Sequence, residues 1–159
     1  MPVPPFVLAL RERVGHDLLW LPGVTAVVLR EDGPRPQLLL VRRSDTGEWT
    51  PVTGIVDPGE DPAAAAVREV LEEADVVATV QRLAQVGVVG PVVYDNGDRS
   101  QYVDLTFRCR WVSGDPFPAD GENTDARWFD LDALPPMSGS MSARVAAALP
   151  AHGEALFTA

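Results

Sequence analysis

At 159 residues the chain suits one domain with a real hydrophobic core. Its 46% hydrophobic and 23% charged content is ordinary for a globular protein. The net charge of −10 speaks against a binder of polymeric nucleic acid, which shows a basic patch. It leaves room for a small phosphate ligand, because a bound cation reverses the local sign.

Residues 1–21 read as an N-terminal segment whose stretch 4–14 suits a short helix, with Phe6, Val7, Leu10 and Val14 on one face. No basic region precedes its apolar run and no clear cleavage site follows, so a cytoplasmic protein is expected. Leu19, Trp20 and Leu21 suit either the chain's own sheet or the contact of a homodimer. The apolar stretch 18–29 is broken by Pro22-Gly23 and is too short to span a membrane. Residues 24–30 and 37–43 read as strands about the turn Glu31-Asp32-Gly33-Pro34, and 49–52 as another short strand.

Past a helical segment, residues 79–89 read as an extended, β-branched strand. Asp95-Asn96-Gly97-Asp98 suits a type I′ hairpin turn, flanked by Tyr94 and Arg99. Residues 101–112 alternate as a long strand, 113–123 form a polar loop, 126–130 another strand and 142–149 a closing helix. Cys109 is the single cysteine, so no disulfide forms within the chain, and it reads as a buried, inert thiol. With no internal repeat and no linker, residues 1–159 read as a single α/β domain, its mixed sheet lying between helices.

The densest chemistry lies in residues 54–76, GIVDPGEDPAAAAVREVLEEADV. Asp61 suits an N-cap and Pro62 the first helical position, where its missing N–H is harmless. Ala63, Ala66, Val67, Val70, Leu71 and Ala74 share one apolar arc. Glu69, Glu72 and Glu73 stand at i, i+3 and i+4, so three like charges crowd another face. Arg68 offsets part of the repulsion by pairing with Glu72, and a hard divalent cation would remove the rest. Gly54 and Gly59 stand where a loop needs positive φ or close approach to a ligand, and Glu60 falls at the loop–helix junction. A solvated acidic face explains the glutamates alone; a metal site also explains the turn.

The pattern Gly54, five residues, Glu60, seven residues, Arg68-Glu69-Val70, one residue, Glu72-Glu73, one residue, Asp75-Val76 resembles the Nudix box. Every box position matches except the last glycine, replaced by Asp75, a residue type that tolerates the left-handed helix end. The upstream LLLVRR, Trp49 and the downstream RWFDLDALP also resemble the family, MutT-like members included. The resemblance implies an α/β/α sandwich with a central mixed β-sheet. It also implies a Mg2+- or Mn2+-dependent hydrolase that cuts a pyrophosphate bond in a nucleoside diphosphate linked to another moiety.

By the same resemblance Glu69, Glu72 and Glu73 are the metal ligands. Glu60 is a weaker ligand or an orienting group, the Gly54 carbonyl a further ligand, and Arg68 a structural partner of a glutamate. The general base is a box glutamate or a loop glutamate, for which Glu122 is the candidate. At a strand end one of Arg42 and Arg43 points toward the box and one away, and either suits a substrate phosphate. Trp49 suits base stacking or core packing. Tyr94 and Arg99 are further candidate substrate contacts.

The substrate is read less sharply. Pro91 stands at an offset that resembles ADP-ribose pyrophosphatases, and Tyr94 at one that resembles diadenosine polyphosphate hydrolases. The short chain and its hairpin look more like enzymes of nucleoside triphosphates or nucleotide sugars. An isomerase on the same fold would need a cysteine where Thr53 stands. A non-catalytic nucleotide sensor would tend to lose the box glutamates, all of which are present.

Overall fold

Seven strands form one mixed sheet in the computed structural model, which describes residues 3–159. In chain order the elements are α1 (Pro5–Val14), β1 (Leu19–Arg30), β2 (Gln37–Arg43), β3 (Trp49–Thr50), β4 (Val52–Ile55), α2 (Pro62–Ala74), β5 (Val77–Val93), β6 (Arg99–Ser113), β7 (Asn123–Asp130) and α3 (Gly139–Ala148). The order β3-β2-β1-β6-β5 runs across the sheet, with β4 added beside β1 and β7 beside β2. β1 and β6 are parallel and every other pairing is antiparallel.

The two-residue period of the central strands builds two cores. Val24, Ala26 and Val28 of β1 join Leu39, Val41 and Val52 against Ala65, Ala66, Val70 and Ala74 of α2. Val27, Leu29, Leu38 and Leu40 turn the other way, onto Val145, Ala147 and Ala148 of α3. This is the expected α/β/α sandwich. Buried polar groups dock α3. Arg144 donates to Thr25 Oγ1 at 2.7 Å and lies 3.5 Å from Asp104, whose carboxylate accepts from Thr25 and Thr106 at 2.8 Å each. Arg108 donates to the carbonyls of Ala148 and Leu149, and Arg82 to those of Ala147 and Pro150, satisfying groups that a helix end leaves without partners.

Several local expectations change. The stretch 49–52 is two strands, because Pro51 has no N–H to continue the ladder. Tyr94 and Asp98 close a three-residue loop: Tyr94 N–H donates to Asp98 O, Gly97 N–H donates to Tyr94 O, and only Gly97 has positive φ there. That is a type I turn followed by a left-handed glycine rather than type I′, and Asn96 is kept at negative φ by its side-chain bonds to Asp98. In α1 only Val7 is buried, while Leu10 and Val14 are exposed. The helix is held by polar contacts instead. Arg11 donates to Arg99 O at 2.6 Å and to Ser100 Oγ at 3.1 Å, and His16 Nδ1 meets Asp98 Oδ1 at 2.8 Å. Leu21 packs in the chain's own core and Trp20 is exposed. No described helix is long and apolar enough to cross a membrane.

Candidate active site

β4 delivers Gly54 beside α2, and the sequence of each explains how closely they meet. A side chain at Gly54 would overlap the Glu69 carboxyl group, so the glycine is a cradle for that glutamate. Helix α2 starts at Pro62, as expected, yet Asp61 makes no side-chain cap. Its apolar arc is shifted from the expected one, with Ala65 buried and Leu71 half exposed. The helix ends on Asp75 in the left-handed conformation, φ 53° and ψ 32°, with its N–H donated to Leu71 O. The side-chain replacement in the box therefore keeps the backbone turn.

Glu69 and Glu73, one turn apart, are buried, and Glu72 sits at the rim. Arg68 links the group. It donates from Nε and Nη2 to the two oxygens of Glu60 at 2.8 and 2.9 Å. From Nη1 it reaches Glu69 Oε1 at 3.0 Å and Glu72 Oε2 at 3.1 Å. Glu60 also accepts the Asp57 N–H. The Arg68 contact holds the Glu60 carboxyl below its ordinary range, and Glu60 in turn keeps Arg68 firmly protonated. Both Glu60 oxygens are thus bonded to Arg68.

The second oxygen of Glu69 is buried and has no hydrogen-bond partner among the described residues. Burial pushes the Glu69 carboxyl up to about 8, with Arg68 opposing and the charges of Glu73 and Glu72 adding to the rise. Burial likewise pushes Glu73 up to about 7; the bond from Asn123 opposes, and Asp120 and Glu122 add their charge. Two carboxylates forced together in a dry place, one with an unsatisfied oxygen, fit a divalent cation.

The polar loop before β7 completes the site. Phe117 N–H donates to Ala74 O and Ala119 N–H to Glu73 O, tying the loop to the end of α2. One carboxylate oxygen each from Glu73, Asp120 and Glu122 lie within 4.8 Å of one another. Asn123 Nδ2 donates to Glu73 Oε2 at 2.9 Å. Ser44 anchors the loop from the other side through the Glu122 carbonyl, accepting contacts at 2.9 Å from N–H and 2.6 Å from the hydroxyl.

Of the arginine pair, Arg43 is the one toward the carboxylates, within electrostatic reach of Glu73 and Tyr94, and Asp45 grips it at 2.9 and 2.6 Å. Arg42 pairs in register with Trp49 and donates to Gly47 O. Trp49 belongs to the α3-side core, its ring 4.9 Å from that of Phe129, and not to the carboxylate side. The Tyr94 hydroxyl meets that of Tyr102 at 2.6 Å. Arg99 uses its carbonyl to hold Arg11. Sequence reading missed Asp45, Tyr102, Asp120 and Asn123 as parts of this constellation. The pairing Arg43↔Asn123 brings two of them in, and only the DGEN run beside Glu122 signals it in the sequence.

A cleft of about 430 Å³ opens at the other end of β1, lined by Arg30, Asp32, Arg35 and Trp111, and no box residue touches it.

Residues 19–149 match the NUDIX domain family. The NAD-capped RNA hydrolase NudC of Pseudomonas aeruginosa is 33% identical over 123 residues, covering 76% of this chain and 40% of that protein. This chain therefore spans about two fifths of the length of that relative. A putative 8-oxo-dGTP diphosphatase of Bacillus subtilis is 34% identical over 118 residues, 74% of this chain and 71% of the other. Among solved structures, the MutT NUDIX hydrolase from Burkholderia pseudomallei superposes with a TM-score of 0.61 at 25% identity, covering 83% of this chain and 99% of that one. Box, cradle, sandwich and relatives coincide, and the chain belongs to the NUDIX domain family.

Proposed function

We propose that this chain hydrolyses a pyrophosphate bond in a nucleoside triphosphate or nucleotide sugar. The observation that carries the reading is Glu69, cradled on Gly54 with a buried, unpartnered oxygen, one turn from a buried Glu73 that faces Glu122. Glu69, Glu72 and Glu73 would hold Mg2+ or Mn2+, with the Gly54 carbonyl as a further ligand. When bound, the cation neutralises pyrophosphate charge and lowers the pKa of a water.

The residues divide the remaining work. Arg68 fixes Glu69 and Glu72, and Glu60 fixes Arg68. Asn123 holds one Glu73 oxygen, leaving the other directed at the loop. Glu122 takes the proton from the attacking water as its oxygen bonds to phosphorus. The bridging P–O bond breaks, and the phosphate or nucleotide leaves with that electron pair. Arg43, preset by Asp45, offers a guanidinium to a substrate phosphate. Tyr94 and Arg99 flank the turn between β5 and β6 as further candidate substrate contacts, and the exposed Trp20 is the candidate contact for a second copy.

The activity and the substrate are tested together. Nucleoside triphosphates, 8-oxo-dGTP, ADP-ribose, diadenosine polyphosphates, sugar nucleotides and NAD-capped RNA are offered with Mg2+, Mn2+ or chelator. Capped RNA is included because a relative is named for it; a small nucleotide is the expected substrate of a chain with net charge −10. Metal-dependent turnover of at least one small nucleotide is expected. Tight nucleotide binding without turnover under every metal would instead make the chain a sensor. Glu122→Gln is expected to lower kcat about 100-fold with little change in KM; near-normal kcat removes Glu122 from proton transfer.

A further inference from the structure

Two glycines stand back to back where β1 meets β4. Gly54 makes room for Glu69 on the α2 side. Gly23, paired with Ile55 next to it, makes room for Tyr102: a side-chain carbon at Gly23 would lie 3.4 Å from Tyr102 Cδ1 and 3.6 Å from the Gly54 carbonyl. The Tyr102 ring thus lies beside the strand backbone whose other face cradles the metal-site glutamate. Its hydroxyl meets that of Tyr94 at 2.6 Å, the one side-chain hydrogen bond of Tyr94 among the described residues. Tyr94 keeps 38% of its surface exposed. Arg43, clamped by Asp45, stands near both Tyr94 and Glu73 and pairs in register with Asn123, whose side-chain amide donates to Glu73.

We infer that Tyr102 is a positioning residue: it fixes the Tyr94 ring as a wall against which the aromatic base of a nucleotide stacks, while Arg43 receives the phosphate. An aromatic face of fixed orientation next to a phosphate-binding cation matches a nucleotide, in which a base and a charged chain are covalently joined. A freely rotating tyrosine would spend part of that stacking on its own ordering. The inference rests on the nucleotide-hydrolase reading for its ligand but is read by binding, without turnover.

The full chain is titrated calorimetrically with α,β-methylene-ATP, α,β-methylene-GTP and inorganic tripolyphosphate, all with Mg2+. Tyr102→Phe is expected to weaken one methylene nucleotide about tenfold and tripolyphosphate, which has no ring, distinctly less. In turnover the same variant raises KM by a similar factor with kcat moved less than about twofold. Tyr94→Phe cuts the same hydroxyl contact and leaves the Tyr102 ring on Gly23, so it is expected to match, and the double variant is expected to be no weaker than either single one. Equal losses for ringed and ringless probes, unchanged Kd in both single variants, or no binding of either nucleotide by the parent chain overturns the inference. If Tyr102→Phe does not fold, Tyr94→Phe decides by the same readings. A parent chain that binds the analogues and turns over no substrate defeats the proposed hydrolysis alone. One that turns over nucleotides while both variants bind normally defeats the tyrosine wall alone.

Discussion

Gly54 shows how much one missing methyl group holds in place. A methyl there would occupy the space of the Glu69 carboxyl. Gly54→Ala is expected to destabilise the fold by about 1–3 kcal/mol through overpacking and to depress kcat by displacing Glu69. Thermal denaturation and steady-state kinetics check both; an unchanged Tm with unchanged kcat would show that Glu69 has slack the structure does not display. At this scale the sequence was highly legible where spacing fixes chemistry. Glu69, Glu73, Arg68 and Gly54 meet because helix and turn geometry are local. Asn123 and Tyr102 were illegible because their placement depends on which strands pair, and nothing local encodes the register Arg43↔Asn123.

The elements differ in how they are fixed. Helix α2 is anchored by apolar packing that its own alanines and valines announce. Helix α3 depends as well on a buried ion pair, Arg144 with Asp104, both side chains 7% exposed, in which every carboxylate oxygen has a partner. Removing one member leaves the other charge buried alone, so Arg144→Leu is expected to cost about 3–5 kcal/mol. Asp104→Leu combined with Arg144→Leu is expected to be less harmful than that single change; denaturant unfolding of the three variants checks the order. Hydrophobic periodicity predicted both helices to within a few residues. It misread α1, where Leu10 and Val14 stay in solvent, because the contact that holds the helix is Arg11 on a hairpin carbonyl. It also misnamed the hairpin turn, since Asn-Gly is compatible with two loop lengths and the closing bond from Tyr94 to Asp98 selects the longer.

For the molecule as a whole, the buried glutamates link stability to pH and to metal. Glu69 and Glu73 titrate near 8 and 7 in the fold, above the ordinary carboxylate range, so the folded state binds extra protons between those values and about 4.5. The stability they lend is complete below the ordinary range and is lost as pH rises through about 7 and then 8. Metal-free protein is therefore expected to show a Tm that falls from about pH 5 to about pH 8.5. Saturating Mg2+, if it is the ion these carboxylates hold, is expected to replace the lost protons. At a hundredfold excess over its Kd it is worth about 2.7 kcal/mol, or roughly 5–10 °C for a domain of this size. Differential scanning calorimetry with and without chelator checks the pair; a flat metal-free profile would show that the carboxyl groups are hydrated.

The two backbone bonds from Phe117 and Ala119 to the last carbonyls of α2 have a consequence for how this chain can vary. They measure out the loop by its main chain, with Ser44 gripping the far end at Glu122. Between the two anchor points Asp120 accepts the Glu122 N–H and Gly121 holds a positive φ, and an added or removed residue would shift Glu122 off the register of Glu73. The loop is therefore strict in length, whereas the β1–β2 turn, at the opposite end of the sheet, is free to grow without disturbing the carboxylates.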